Sequence, residues 1–260
     1  MKTKIISLLL FMFLIIDNEQ AVTTYETTAN AWYERRAENA NGTIANSFAI
    51  DQAISNYELA LNQNPNEVLI ISLLKSYYFK GSFTELSVAE KKLCFEKGTT
   101  LGSKYLSTYP KSVGIKYWQA CLLGKWASVY GAINAAKEGI AEKIKSLGEE
   151  VIAIDPNYND AGGYELVGLV HFYSPHIPLI LTWPSNKIAI DNLQIAVTHS
   201  PTMANLFSYA KALDKQGNTA TAILLLQKIK QMQPRKEKLI EDLNCLQLAN
   251  DLSNEIDSSN

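Results

Sequence analysis

From about residue 48 to residue 246, apolar side chains recur every three or four positions, the period of a helix with one buried stripe. Strand-type alternation is absent. Ala53, Tyr57 and Ala60 trace one stripe; Ile70, Leu73 and Tyr77 trace the next; Ala189, Leu193 and Ala196, and then Ala222, Leu226 and Ile229, repeat it further along. Five of the eight prolines, Pro65, Pro110, Pro156, Pro201 and Pro234, close such runs at intervals of 45, 46, 45 and 33 residues. Proline has no N–H to continue a helix, so each marks an end. The pattern predicts an all-α chain of four to five helical hairpins.

The details vary along the chain. A first complete second helix is expected from about Phe48 to Asn64, with Asn66 capping the next helix and Gly81 ending it. Ser87 to Thr108 and Ala135 to Ile154 predict extended second helices interrupted at Gly98 and Gly102 and at Gly148, and Gly162 with Gly163 reads as a tight helix entry. The segment Ser174 to Ser185 carries Pro175, Pro178 and Pro184 around an apolar PLILTW. It is expected to fold over the helices, because Leu179, Ile180, Leu181 and Trp183 would otherwise form a contiguous exposed patch. Leu239, Leu243 and Leu246 predict a capping helix. Residues 22–46 read as a polar leader or an imperfect first helix, 47–252 as the helical domain and 253–260 as a frayed tail.

The spacing of Ala53, Tyr57, Ala60 and Pro65 resembles positions 20, 24, 27 and 32 of a tetratricopeptide (TPR) unit, and Ala189 to Pro201 and Ala222 to Pro234 follow it. The resemblance implies a TPR-like α-solenoid, whose stacked hairpins build a concave surface on which function is to be sought.

Charge narrows the classes. At 19% charged residues and net charge −2, the chain offers no basic face for a phosphate backbone, and nucleic acid is not expected as a partner. Lys228, Lys230, Arg235, Lys236 and Lys238 cluster, but Glu237, Glu241 and Asp242 lie among them, as on a solvated helix end. At the N-terminus Lys2 and Lys4 precede an apolar run from Ile5 to Ile16. Such a run reaches about 18 Å as a helix, short of a bilayer core of about 30 Å, so residues 1–21 read as a signal peptide and the protein as exported. Cleavage after Ala21 or retention as an anchor both remain open. No cysteine follows that run to carry a lipid. Cys94, Cys121 and Cys245 are too few and too far apart for a zinc site.

Catalytic chemistry finds no constellation. His171 and His176 flank Pro175 and do not share a helix face, and neither a phosphate-binding glycine loop nor a nucleophile elbow occurs. No cofactor or metal is implied and an enzyme is not expected. Aromatic density in the middle third is the stronger signal. Tyr117, Trp118, Trp126, Tyr164, His171 and Trp183 fall there with Lys125, and aromatics on both faces of one helix leave a second set beyond inter-hairpin packing. These seven are the candidate lining of a ligand cavity, with Lys125 placed to meet an anion.

The segments YWQACLLGKWASVYGAINAAKEGI (Tyr117 to Ile140) and IDPNYNDAGGYELVGLVHFYSPHIP (Ile154 to Pro178), with Ala189, Ala196, Pro201 and Ala210, resemble the TRAP-transporter T-component family. The resemblance covers roughly residues 45–235. It implies a periplasmic TPR-like accessory protein that associates with a TRAP substrate-binding protein and holds an apolar or organic-anion ligand, with Tyr117, Trp118, Trp126 and Tyr164 as lining residues. The alternative is an envelope protein–protein scaffold without a small ligand. Subunit number stays open, a homo-oligomer included.

Overall fold

The computed structural model describes residues 24–177, 179 and 181–259, so the signal-like segment, Pro178 and Ile180 lie outside the described residues. The chain is all-α, with no named strand among the described residues; three isolated bridges pin loops. Five hairpins follow one another. Helix α1 (24–34) pairs with α2 (Ser47–Gln63), α3 (Glu67–Phe83) with α4 (Val88–Leu106), and α5 (Val113–Tyr130) with α7 (Ile140–Ile154), which a short α6 (Ala132–Lys137) precedes. Then α8 (Tyr158–Tyr173) pairs with α9 (Asn186–His199) and α10 (Met203–Lys215) with α11 (Thr219–Gln231); α12 (Leu239–Ser259) closes the array after a 3-10 turn. All five prolines of the comb stand two to four residues beyond the second helix of a hairpin.

Capping side chains start most of these helices. Asn66 accepts from the Leu69 amide at 3.0 Å as the sequence predicts, Ser87 and Glu90 form a reciprocal capping box on α4, and Ser112, Ser185 and Thr202 cap α5, α9 and α10. The leader is a true helix: Ala29 is fully buried and Trp32 and Tyr33 pack on the first core. Helix α4 runs through Gly98 and Gly102 unbroken. The predicted extended helix after Ala135 is broken instead, at Gly139, whose φ of +60 is a left-handed turn that glycine adopts without a Cβ penalty. Gly81 does not end α3 but lies two residues inside it, where the Phe95 ring occupies the space a Cβ would need. The tail is not frayed from Ser253: α12 continues to Ser259, with Ile256 buried.

Two irregular features position the site. At the start of α8, Asn159, Asp160 and Ala161 all take left-handed conformations (φ 46, 64 and 61), a costly arrangement for residues with a Cβ. Polar side chains hold it. Asp160 takes ion pairs from Arg235 and Lys238, each at 2.9 Å, and Arg235 is tied in turn to buried Asp242. Asn205 donates to the Asp160 carbonyl at 2.8 Å and to Ser200 O at 2.7 Å. The second feature joins the ends of the chain: buried Arg36 donates to the Glu237 carbonyl and, at 3.1 Å, to Glu241, while fully buried Ile240 belongs to the N-terminal core.

Candidate functional site

The first helices of successive hairpins, α3, α5, α8 and α10, pack on one another and form the inner face of the solenoid. Between them lies a cavity of about 710 Å³, within the range of small-molecule sites. Its walls come from α5 (Tyr117 to Ser128), the Gly131 linker, α6, the start of α7, and one face of α8 with Leu166, Leu169 and Val170; Tyr78 and Ser208 enter from α3 and α10. The proline-rich segment adds Ser174, Pro175 and Leu181, and Leu181 is 2% exposed. Leu179 is not covered as expected but fully exposed: its left-handed backbone, φ 69, belongs to a tight turn between the bridged Ile177 and Leu181.

The cavity is amphipathic. Ala127, Ala132, Ala135, Ile140, Ile144 and Val170 give one end an apolar lining. At the other end Tyr78, Tyr117, Cys121, Lys125, Glu165 and Ser208 meet. Tyr117 is set there by Gly162: a Cβ at that position would come 2.3 Å from the ring, and the hydroxyl accepts from Asn159 Nδ2 at 2.7 Å, which links the cavity wall to the left-handed turn. Ser208 donates to Glu165 at 3.0 Å. The Lys125 ammonium lies 5.5 Å from the centre of the Tyr78 ring. Burial raises the Glu165 carboxyl, only partly offset by the Ser208 hydrogen bond, and burial lowers the Lys125 ammonium. Burial also pushes the Cys121 thiol up to about 12, so it is no nucleophile at neutral pH.

Of the residues singled out from the sequence, Tyr117 and Lys125 stand on this wall. Trp118 stands behind it, edge-on to both Tyr78 and Tyr117 at ring distances of 5.4 and 5.1 Å. Trp126 faces the other side of α5, stacked on Tyr130 at 4.2 Å and bordering a smaller depression of about 310 Å³ with Thr99, Ser103 and Glu138. Tyr164 is half-buried against His199. His171 is buried but structural: Nδ1 accepts from the Ser185 amide at 3.2 Å, which fixes the start of α9, and the ring meets Trp183 edge-on. Trp183 is half-buried and donates to Glu142 at 3.3 Å.

Sequence reasoning missed Tyr78, Cys121, Glu165 and Ser208. Glu165 alone left a signal, a lone carboxylate within the apolar and glycine-rich run GGYELVGLV. Among the described residues no group of three or more His, Cys, Asp or Glu is placed to hold a metal, and no helix is long and apolar enough to cross a membrane.

No family model and no curated protein matches the chain. Among solved structures, the chain is similar to a thermophilic TPR protein of Thermus thermophilus, with a TM-score of 0.56 and 16% identity over 76% of this chain and 91% of that one. The likeness is one of fold, and the chain is an all-α, TPR-like solenoid.

Proposed function

We propose that this protein is an exported, non-enzymatic TPR-like accessory component of a TRAP-type uptake system, which holds an apolar small molecule in its central cavity and docks on a substrate-binding protein. The observation that carries the reading is the cavity itself. An extended TPR array presents a groove to a peptide, whereas here α5, α8, the α6–α7 turn and the proline-rich segment partly enclose a small-molecule volume lined chiefly by apolar side chains. The two segments that resemble the T-component family, Tyr117 to Ile140 and Ile154 to Pro178, are the ones that build most of this wall. Export rests on the basic and apolar N-terminus, and partner docking on the resemblance together with the interaction surfaces that TPR-like folds offer.

Gly124 gives the test. It lines the cavity, and a Cβ there meets nothing nearer than Ile144 Cδ1 at 4.0 Å, so Gly124→Leu narrows the volume at its middle helix without a backbone clash. The neutral apolar fluorophore N-phenyl-1-naphthylamine is expected to brighten on the wild-type chain and not on Gly124→Leu, with the helical circular dichroism unchanged. Equal brightening by both proteins overturns the cavity reading and leaves the scaffold. For the docking partner, calorimetry against a TRAP substrate-binding protein is expected to give saturable heat; its absence removes the TRAP assignment.

A further inference from the structure

Lys125 and Glu165 border the same end of an apolar cavity with opposite charges, yet among the described residues neither forms an ion pair. Lys125 rests over the Tyr78 ring and Glu165 accepts from Ser208. Tyr117 of α5 packs against Gly162 of α8, and across these two helices Lys125 and Glu165 act on each other electrostatically without meeting in an ion pair. Of the surrounding charges, Lys238 and Arg235 form their ion pairs with Asp160, and Asp242 pairs with Arg235; Lys238 also acts on Glu165, but from its place beside Asp160.

We propose that the cavity takes a zwitterionic amphiphile, whose anionic group meets Lys125, whose ammonium meets Glu165, and whose chain runs along Ala127, Ile140, Ile144 and Val170. This assignment rests on the cavity being a small-molecule site and adds the chemistry of its occupant. The physical argument is one of compensation. Charges removed from water require partners. A neutral ligand would displace water from both groups and pair neither. A simple anion would satisfy Lys125 while placing its own charge beside the Glu165 carboxylate, and a simple amine would do the converse. Only a head bearing both signs answers both groups at once, and the burial that now raises Glu165 and lowers Lys125 is what such a head would counter.

The test displaces N-phenyl-1-naphthylamine from the full chain at pH 7 with four probes of equal chain length: 2-aminodecanoic acid, decanoic acid, decylamine and 1-decanol. The zwitterion is expected to compete about tenfold better than any of the others, the worth of one further charge-assisted hydrogen bond. Lys125→Met and Glu165→Gln are each expected to abolish that advantage, while 1-decanol, which pairs with neither group, competes at least as well as on the wild-type chain. Lys125→Gln replaces Lys125→Met should the latter lose its helical signal. Decanoic acid competing as well as the zwitterion, or an advantage that survives Glu165→Gln, overturns the proposal. Displacement by 1-decanol without any gain for the zwitterion sinks the headgroup assignment alone, whereas failure of the fluorophore and all four probes to bind also sinks the cavity reading.

Discussion

Asn205 is the side chain on which the irregular start of α8 most depends. It is 1% exposed, and its Nδ2 lies 2.7 Å from Ser200 O, 2.8 Å from Asp160 O and 3.4 Å from Ala196 O. One amide therefore serves the end of α9 and the left-handed turn together. Asn205→Leu keeps most of the volume and removes both donors, leaving two well-placed carbonyls without a partner. Each lost bond of this kind costs about 1–2 kcal/mol once the stranded acceptor is included, so the variant should lose about 2–4 kcal/mol. Asn205→Asp is the sharper comparison, because it sets a carboxylate against three carbonyl oxygens. Its folded-state pKa must rise, so its deficit should be full at neutral pH and shrink as the pH is lowered toward 5, where Asp160 is still ionised. Urea unfolding followed by circular dichroism and by tryptophan fluorescence supplies the free energies where the two transitions coincide. A loss under about 1 kcal/mol for Asn205→Leu, or a pH-independent deficit for Asn205→Asp, would refute the assignment.

Glu165→Gln should stabilise the protein at neutral and higher pH and have no effect below about pH 4: the folded carboxyl is raised above its unfolded value, so its contribution is lost as pH rises, and urea midpoints whose difference stays constant across pH, or grows on acidification, would refute this. Asp160 behaves oppositely. Burial opposes its ionisation but Lys238 and Arg235 prevail and hold its pKa low, so its stabilisation is present at neutral pH and disappears on acidification through that lowered value; Asp160→Asn should flatten the acid limb of the stability profile. Gly162→Ala should cost about 1–3 kcal/mol by driving a methyl into the Tyr117 ring, and a wild-type denaturation midpoint would show that Tyr117 is not held there by contact. Burial raises all three thiols, Cys94 to about 11 and Cys121 and Cys245 to about 12, so Ellman's reagent at pH 8 should react slowly until denaturant is added; a rapid stoichiometric reaction of the native chain contradicts this.

What could be read from the sequence was what local periodicity encodes. The second helices carry their small residue, their buried stripe and their closing proline in consecutive positions, so Ala53 to Pro65 and Ala222 to Pro234 announced themselves. Gly81 and Gly139 did not, because a glycine that admits a neighbouring ring and one that turns the chain have the same letter. The left-handed Asn159 to Ala161 was hidden for a related reason: its support comes from Asn205, Arg235 and Lys238, far along the chain. At the cavity, aromatic density led to Tyr117 and Lys125 but also to Trp118 and Trp126, which pack behind the wall or face the other side of α5. Tyr78 lies on a helix that is apolar on nearly every side and Ser208 on an ordinary amphipathic one, so neither stands out from its neighbours, and only the packing of α3, α8 and α10 brings them to Glu165.

The contact of Arg36 with Glu237 and Glu241 spans 201 and 205 residues of chain. A repeat array with free ends can shed its terminal units one at a time, since each is held by a single neighbour. A clasped band has no such first unit to lose. With α12 pressed on the N-terminal hairpin, the two ends stabilise each other, and fraying at either must wait for the clasp to part. The same helix sets Cys245 among the electrostatic neighbours of Tyr78 and Lys125, so the element that fastens the array also lies close to the polar end of the cavity. Cutting the chain before Leu239 would therefore do more than remove a cap: it would take Ile240 and Glu241 from the N-terminal hairpin and loosen both ends at once.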